Sequence, residues 1–153
     1  MVKSYKGVII EKEKKAAPQS VKVEDYMSKR LITFQPDQSM SEVIDTLLSK
    51  RISGAPVVDG QNNLIGVISE GDCMKEVVRG KYNNSPNLSG KVADHMSTEV
   101  IHITPETNIF DAAKMFLEKR IRRFPVVQMG KLIGQISQKD VMRAMHDMKS
   151  SNW

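Results

Sequence analysis

Residues 64–72 read LIGVISEGD, and residues 132–140 read LIGQISQKD, so one pattern occurs twice in the chain. The agreement extends upstream, where residues 50–58 (KRISGAPVV) return 69 positions later as residues 119–127 (KRIRRFPVV). Each copy of an internal repeat is one structural unit, and its neighbour buries the face that it cannot bury alone. We therefore expect two related units, which run from about Val23 to Val78 and from about Val92 to Met145.

Length and composition indicate a soluble globular protein. The 153 residues suffice for one domain-sized core, whereas each copy would be marginal alone, so the copies should pack on each other. No apolar run approaches the ~18 residues of a membrane span, and the first ten residues hold too short an apolar stretch for a signal peptide. We therefore expect a cytoplasmic location. Cys73 is the only cysteine, which excludes an internal disulfide and predicts a small core residue.

Apolar spacing and turn residues predict an α+β unit of the order strand, helix, strand, strand, helix. Ser39 followed by Glu42 has the spacing of a capping box, in which the two side chains accept hydrogen bonds from each other's backbone. The following apolar residues fall on one helical face, which comprises Met40, Val43, Ile44, Leu47 and Leu48. The predicted elements of the first copy are a strand at 31–34, that helix, strands at 55–58 and 64–69, and a helix from Ser69 to about Val78.

Composition changes mark the predicted boundaries. The stretch between the copies is rich in Gly, Asn, Ser and Pro, which predicts a mobile connector. The predicted organisation is an N-terminal extension at 1–20, a first repeat at 21–80, a connector at 81–91, a second repeat at 92–149 and a tail at 150–153.

The end of the third strand in each copy reads G-x-I-S-x-x-D, and two interpretations fit it. Ser69 with Asp72, and Ser137 with Asp140, have the spacing of a helix cap with an acidic third residue. A helix start that follows a strand also offers backbone N–H groups to a phosphate, and an aspartate there can accept hydrogen bonds from ribose hydroxyls. The spacing alone favours the cap, while the repetition in register favours a binding site.

A glycine three residues before each serine has a related meaning. Gly66 and Gly134 lack a side chain, so a ligand or another stretch of backbone could approach the strand closely.

Together these features resemble a tandem pair of cystathionine β-synthase (CBS) domains, also called a Bateman module. The matching patterns are h-x-x-x-P (32–36 and 101–105), K-R-I-x-x-x-P-V-V and G-x-I-S-x-x-D, in the same order in both copies. The resemblance covers about residues 21–148. It implies two β-α-β-β-α repeats that pack through their sheets with pseudo-two-fold symmetry. It also implies two clefts that bind adenine nucleotides or related adenosyl ligands.

The resemblance implies specific binding residues. Asp72 and Asp140 match ribose-binding aspartates, and Ser69 and Ser137 match hydroxyls near phosphate or ribose. The expected stronger site takes Asp140, Ser137, Ile136, Arg122 and Arg123 from the second repeat, and Thr33, Ile52, Ser53 and Ala55 from the first. The mirror site takes Asp72, Ser69 and Ile68 with His102, Ile121, Arg122 and Phe124.

The two copies differ where the family often meets phosphate. Residues 53–55 read SGA, whereas residues 122–124 read RRF. Arginine chelates phosphate bidentately and stays charged, which is why we rank the Asp140 site first. The alternative is a solvated basic patch that includes Lys119 and Arg120. In the mirror site, His102 replaces a threonine and Phe124 is bulky, so that site is expected to be weaker, selective for another ligand, or empty.

The resulting functional hypothesis is a stand-alone, non-enzymatic sensing module. Its ligand would be AMP, ADP, ATP or S-adenosylmethionine, and it would act as a homodimer on a regulated protein partner. The alternatives are a ligand-independent dimerisation scaffold and, through the net charge of +5, nucleic-acid binding. No Walker loop, C-x-x-C pair or catalytic triad spacing occurs, and the histidines lack metal-ligand spacing, so we expect no enzyme, metal site or catalytic cofactor.

Overall fold

The computed structural model describes residues 21–82 and 90–152. Within them, β1 pairs antiparallel with β2, and β3 pairs with β4, as two separate two-stranded sheets. The mixed α+β class and the repeated arrangement are therefore confirmed. In chain order the elements are a 3-10 turn at Val23–Asp25, α1 (Met40–Lys50), β1 (Gly54–Val58), β2 (Leu64–Ser69), α2 (Glu70–Tyr82), α3 (Val92–His95), α4 (Ile109–Lys119), β3 (Arg123–Gln128), β4 (Lys131–Ser137) and α5 (Gln138–Asn152).

Helix α1 begins at the predicted capping box. The backbone N–H of Glu42 donates to Ser39 Oγ (3.1 Å), and the backbone N–H of Ser39 donates to Glu42 Oε1 (3.2 Å). The hydrogen bond from the Ser39 backbone lowers the pKa of Glu42. These bonds satisfy amide groups that a helix start otherwise leaves unpaired.

The predicted apolar face of α1 is buried over only part of its width. Met40, Val43 and Leu47 are buried as predicted, but Leu48 is 73% exposed. Its counterpart Leu117 on α4 is 81% exposed. An apolar stripe wider than the surface it packs against leaves its margin in solvent, and here it does so in both repeats.

The predicted first strand is reduced to a single bridge at Phe34. Its N–H donates to the carbonyl of Pro56 (3.0 Å), and its carbonyl accepts from the N–H of Val58 (2.9 Å). The next donor in a parallel ladder would be residue 36, which is a proline without an N–H. The ladder therefore stops after one residue, and Ile103 forms the matching bridge with Val126 in the second repeat.

Helix α2 extends beyond its predicted end at Val78 to Tyr82. Gly80 lies inside it, because a glycine weakens a helix by only about 1 kcal/mol and does not end it. Helix α5 likewise continues to Asn152, into the stretch predicted as a tail. The predicted extension at 1–20, most of the connector (83–89) and Trp153 lie outside the described residues.

The chain divides into two compact units, each with its own core. We call residues 30–101 with 127–132 the first-repeat unit, and the described residues 21–29, 102–126 and 133–152 the second-repeat unit. The first core contains Phe34, Met40, Val43, Leu47, Ala55, Val57, Ile68, Cys73 and Val92. The second contains Val23, Ile103, Ile109, Ala112, Phe116, Phe124, Val126, Ile136, Val141, Ala144 and Met148.

The segment before each repeat belongs to the unit of the other repeat. Val23 donates its N–H to the carbonyl of Thr107 (2.8 Å) in the second-repeat unit. Val92 donates to the carbonyl of Gln38 (2.9 Å) in the first-repeat unit. Both valines are fully buried in those cores, so each unit is completed by a segment that is distant in sequence.

The two glycines of the strands are explained by this arrangement. A Cβ on Gly66 would lie 2.6 Å from Met96 Sδ and 2.9 Å from the carbonyl oxygen of Ser97. A Cβ on Gly134 would lie 2.5 Å from Met27 Sδ. Close approach was predicted for both positions, and in this structure the approaching groups are protein atoms.

Replacing Gly66 by alanine is expected to destabilise the protein by about 1–3 kcal/mol, the usual cost of overpacking. The carbonyl of Ser97 cannot move away, because Ser97 and Val67 exchange two backbone hydrogen bonds of 2.9 Å. Gly134→Ala is the matched control, since the three atoms nearest to its added Cβ all belong to the flexible Met27 side chain, and we expect it to cost less. Urea unfolding measures both variants, and a larger loss for Gly134→Ala would contradict this account.

Candidate functional site

The first candidate site lies where β2 ends and α2 begins. Asp72 Oδ2 accepts the backbone N–H of Ser69 (2.9 Å) and the Ser69 hydroxyl (3.1 Å). The N–H of Glu70 donates to the carbonyl of Ser53 (2.8 Å), which fixes the preceding loop beside this helix start. Residues 53–55 therefore lie next to the serine and aspartate, as the register Gly54↔Ser69 also requires.

The second candidate site repeats this arrangement where β4 ends and α5 begins. Asp140 Oδ2 accepts the N–H of Ser137 (2.8 Å), and Ser137 Oγ accepts the N–H of Asp140 (3.2 Å). Gln138 Nε2 donates to the carbonyl of Ile121 (3.5 Å), which brings the loop with the two arginines to the same helix start.

Both serine–aspartate pairs therefore cap their helices, as the first interpretation of the motif predicts. A cap uses one carboxylate oxygen, and an ionised carboxylate has two, so capping and ligand binding are compatible. The two serine hydroxyls differ in the direction of their hydrogen bonds. That of Ser69 donates to Asp72, whereas that of Ser137 accepts the backbone N–H of Asp140.

The surroundings of Asp140 contain a network that the sequence analysis missed. Arg143 Nη2 donates to Asp140 Oδ1 (2.6 Å) and to the carbonyl of Tyr26 (3.3 Å), and its guanidinium lies 5.7 Å from the centre of the Tyr26 ring. The Tyr26 hydroxyl donates to Asp147 Oδ2 (2.7 Å). The hydrogen bond to Asp147 raises the pKa of Tyr26, and the one to Asp140 raises the pKa of Arg143.

A sequence signal for this network exists in part. Asp140 and Arg143 are three residues apart on one helix, a spacing at which opposite charges meet. The participation of Tyr26 has no such signal, because it lies 117 positions before Arg143 and joins it only through folding.

The remaining predicted residues of the first repeat all lie in the first-repeat unit. Thr33, Ile52 and Ser53 are half-buried, whereas Ala55 and Ile68 are buried in the core. The last two can therefore offer a ligand only backbone atoms.

The second-repeat unit holds the predicted residues of the second repeat. His102, Arg122 and Arg123 are exposed, and Ile121 is half-buried. The Phe124 and Ile136 side chains are fully buried, with the Phe124 ring 4.5 Å from that of Phe116. The assembly of residues from both repeats into one site, and the rank of the two sites, stay predictions.

Other site types find no support in the part of the chain that is described. Residues 21–82 and 90–152 contain no group of three or more His, Cys, Asp or Glu side chains placed to hold a metal ion. No helix among them is long and apolar enough to cross a membrane. Cys73 is buried as predicted, and burial raises the pKa of its thiol.

Known proteins resemble this chain in sequence and in structure. The chain is 30% identical over 131 residues to the uncharacterized protein MJ1225 of Methanocaldococcus jannaschii. This alignment covers 86% of this chain and 44% of MJ1225. It is 31% identical over 153 residues to the chloroplastic CBS domain-containing protein CBSX2 of Arabidopsis thaliana, covering 83% of this chain and 64% of CBSX2. The chain thus spans less than two thirds of the length of these two relatives.

Solved structures show the same fold. The crystal structure of CBSX2 in complex with AMP superposes with a TM-score of 0.73 at 33% identity, covering 84% of this chain and 98% of that one. The CBS domain pair of protein MJ0100, in complex with 5-methylthioadenosine and S-adenosyl-L-methionine, superposes with a TM-score of 0.67 at 23% identity, covering 83% and 97%.

The family model of the CBS domain matches residues 23–79 and 92–147, which are the two repeats seen in the sequence. The resemblance inferred from the motifs is thereby confirmed, and the chain belongs to the CBS domain family, as a tandem pair of its domains.

Proposed function

We propose that this protein is a regulatory module that binds an adenosine-containing ligand at the serine–aspartate ends of its two repeats and catalyses no reaction. One observation carries the proposal. Asp72 caps its helix through Oδ2, and within the described residues Ser69 is the only residue that donates to it. Its Oδ1 can therefore accept a hydrogen bond from a ribose hydroxyl, a charge-assisted bond of the stronger kind.

The rest of each site suits the same class of ligand. The half-buried Ile52 and the backbone around Ala55 offer apolar and amide contacts beside Ser69, and Arg122 and Arg123 offer charge for a phosphate near Ser137. The relative CBSX2 has been crystallised with AMP, which supports AMP, ADP or ATP as ligands, with S-adenosylmethionine, a sulfonium compound that carries no phosphate, as the alternative.

The regulatory step would follow from differential affinity. A ligand that binds one arrangement of the two repeats better than another shifts the population towards it, and a partner protein could read the shift. The predicted ligand position in clefts between the repeats and the cytoplasmic location belong to this proposal.

Thermal unfolding with added adenosine, AMP, ADP, ATP and S-adenosylmethionine tests the proposal. A ligand that binds only the native state stabilises it by about 2.7 kcal/mol at a concentration of 100 Kd. We expect at least one of these compounds to raise the melting temperature in a concentration-dependent way. Calorimetry then gives the stoichiometry. A melting temperature that none of them changes would favour the ligand-independent scaffold instead.

We further propose that the protein is a homodimer that associates through exposed apolar helix faces. In the first-repeat unit, α1 and α2 expose Leu48, Met74 and Val77, beside a cavity of about 370 Å³ whose lining includes Cys73. The second-repeat unit exposes the matching positions Leu117, Met142 and Met145. Exposed apolar patches of this kind mark interaction sites. Because both repeats carry such a helix face, the faces of one protomer can pack against those of a second copy in a two-fold dimer.

Replacing Leu48 and Leu117 together by glutamate is expected to convert the dimer to a monomer, because each change places a charge in an apolar contact. Sedimentation velocity measures the state of association. Ser49→Glu is the control for Leu48→Glu alone, since it adds the same single charge on the neighbouring exposed position of α1. A wild-type protein that sediments as a monomer at micromolar concentration would contradict the dimer, with no bearing on ligand binding.

A further inference from the structure

We infer that Arg143 competes with ligand for Asp140, so that Asp72, and not Asp140, is the principal acceptor for the ribose hydroxyls. This inference rests on the proposed function and specifies which of the two sites binds the ribose hydroxyls. It reverses the ranking expected from the arginines of the loop at 122–123.

The two aspartates differ in how many of their oxygens the protein occupies. Asp140 Oδ2 accepts from the backbone of Ser137, and its Oδ1 accepts from Arg143 at 2.6 Å. Asp72 uses Oδ2 for both of its bonds, which leaves Oδ1 for a ligand. The position that matches Arg143 in the first repeat is Lys75, which is exposed.

The occupied oxygen matters because the two hydroxyls of ribose need two acceptor positions on the carboxylate. A carboxylate offers about four lone pairs, and at Asp140 one on each oxygen is already engaged. A ribose hydroxyl and the arginine would both make charge-assisted bonds to this carboxylate, but only the arginine also brings a positive charge to it, so a hydroxyl does not readily displace the guanidinium from Oδ1. The Asp140 carboxylate is only 15% exposed, which narrows the directions from which a second donor can reach it.

Other contacts hold Arg143 in its place. Its guanidinium also donates to the carbonyl of Tyr26 and lies over the ring of that residue. The Tyr26 hydroxyl is in turn bound to Asp147, one helical turn beyond Arg143. Arg143 is 62% exposed, and these contacts restrict a side chain that would otherwise sample many rotamers.

The serine hydroxyls are arranged in the complementary sense. The Ser69 hydroxyl donates its proton to Asp72, whereas Ser137 Oγ accepts a backbone N–H, so its proton can be donated to a ligand oxygen. The first site therefore presents an acceptor, and the second presents donors, with Arg122 and Arg123 beside them. Sugar hydroxyls suit the first site, and phosphate oxygens suit the second.

Calorimetric titration with adenosine tests this, because adenosine has the diol and lacks phosphate. In an Asp72→Ala background, only the second site keeps its aspartate. There, Arg143→Gln is expected to tighten adenosine binding by about threefold to tenfold, because the ligand no longer has to break the ion pair and the further contacts of Arg143. In an Asp140→Ala background, Lys75→Gln is the matched control and is expected to change the affinity less than twofold.

A second ligand separates competition from a general loosening of the helix. The gain from Arg143→Gln should be absent with 2′-deoxyadenosine, since that ligand cannot present the diol. An equal gain with both ligands, or no gain with adenosine, would overturn the role of Arg143 while leaving the proposed function intact. Failure of every protein, including wild type, to bind adenosine, AMP or S-adenosylmethionine would instead overturn the proposed function and this inference together.

Discussion

Replacing His95 by alanine is expected to lower the free energy of unfolding by about 2–4 kcal/mol, because it leaves a buried carboxylate without its buried partner. Glu76 is only 7% exposed, and its Oε2 lies 3.3 Å from His95 Nε2. Arg79 also donates to Glu76 Oε2, at 3.3 Å, but it is mostly exposed and therefore compensates weakly. Urea unfolding monitored by circular dichroism measures the loss.

The double variant Glu76→Leu with His95→Leu is the informative control. Apolar residues of similar volume often replace a buried polar or ionic pair at little cost, so this variant should regain at least half of the loss. The second repeat supports this expectation, because the position that matches Glu76 is Ala144, which is fully buried and uncharged. Equal destabilisation of the single and double variants would show that lost packing, and not the orphaned carboxylate, is the cause.

Replacing both Asp72 and Asp140 by alanine is expected to weaken adenosine binding by about tenfold to a hundredfold at the first site, the value of a hydrogen bond to a charged group. The loss at the second site is expected to be smaller, because Arg143 already engages Asp140 Oδ1 and leaves Asp72 as the principal acceptor for the ribose hydroxyls. Calorimetry with adenosine and AMP measures the loss.

The same substitutions also remove two helix caps, so a capping control is needed. Glu42→Ala removes the equivalent carboxylate of the capping box of α1, which has no proposed contact with ligand. It should reduce stability by about 0.5–2 kcal/mol, as cap removal does, and leave ligand affinity unchanged. If Glu42→Ala weakened binding as much as the double variant does, the aspartates would have no ligand role beyond their caps.

Local chemistry explains why much of the fold was predictable. The capping box at Ser39, the strand at 64–69 and the start of the helix that follows it are set by residues within a few positions of one another. The capping box and the strand agree with the prediction, and the helix begins within one residue of its predicted start. The errors lie where a partner distant in sequence decides. The bridge at Phe34 depends on β1, and the exposure of Leu48 depends on how much of α1 the core covers.

The sequence by itself determined the repeat, the family and the two serine–aspartate pairs, because a duplicated motif in fixed register carries that information without any contact. Only the tertiary structure showed that Val23 and Val92 each complete the unit of the other repeat. Only it showed that Tyr26 holds Arg143 against Asp140. Both arrangements join residues at least 54 positions apart in the chain, as from Gln38 to Val92, and no periodicity or spacing encodes which distant backbone or side chain will fill a given place.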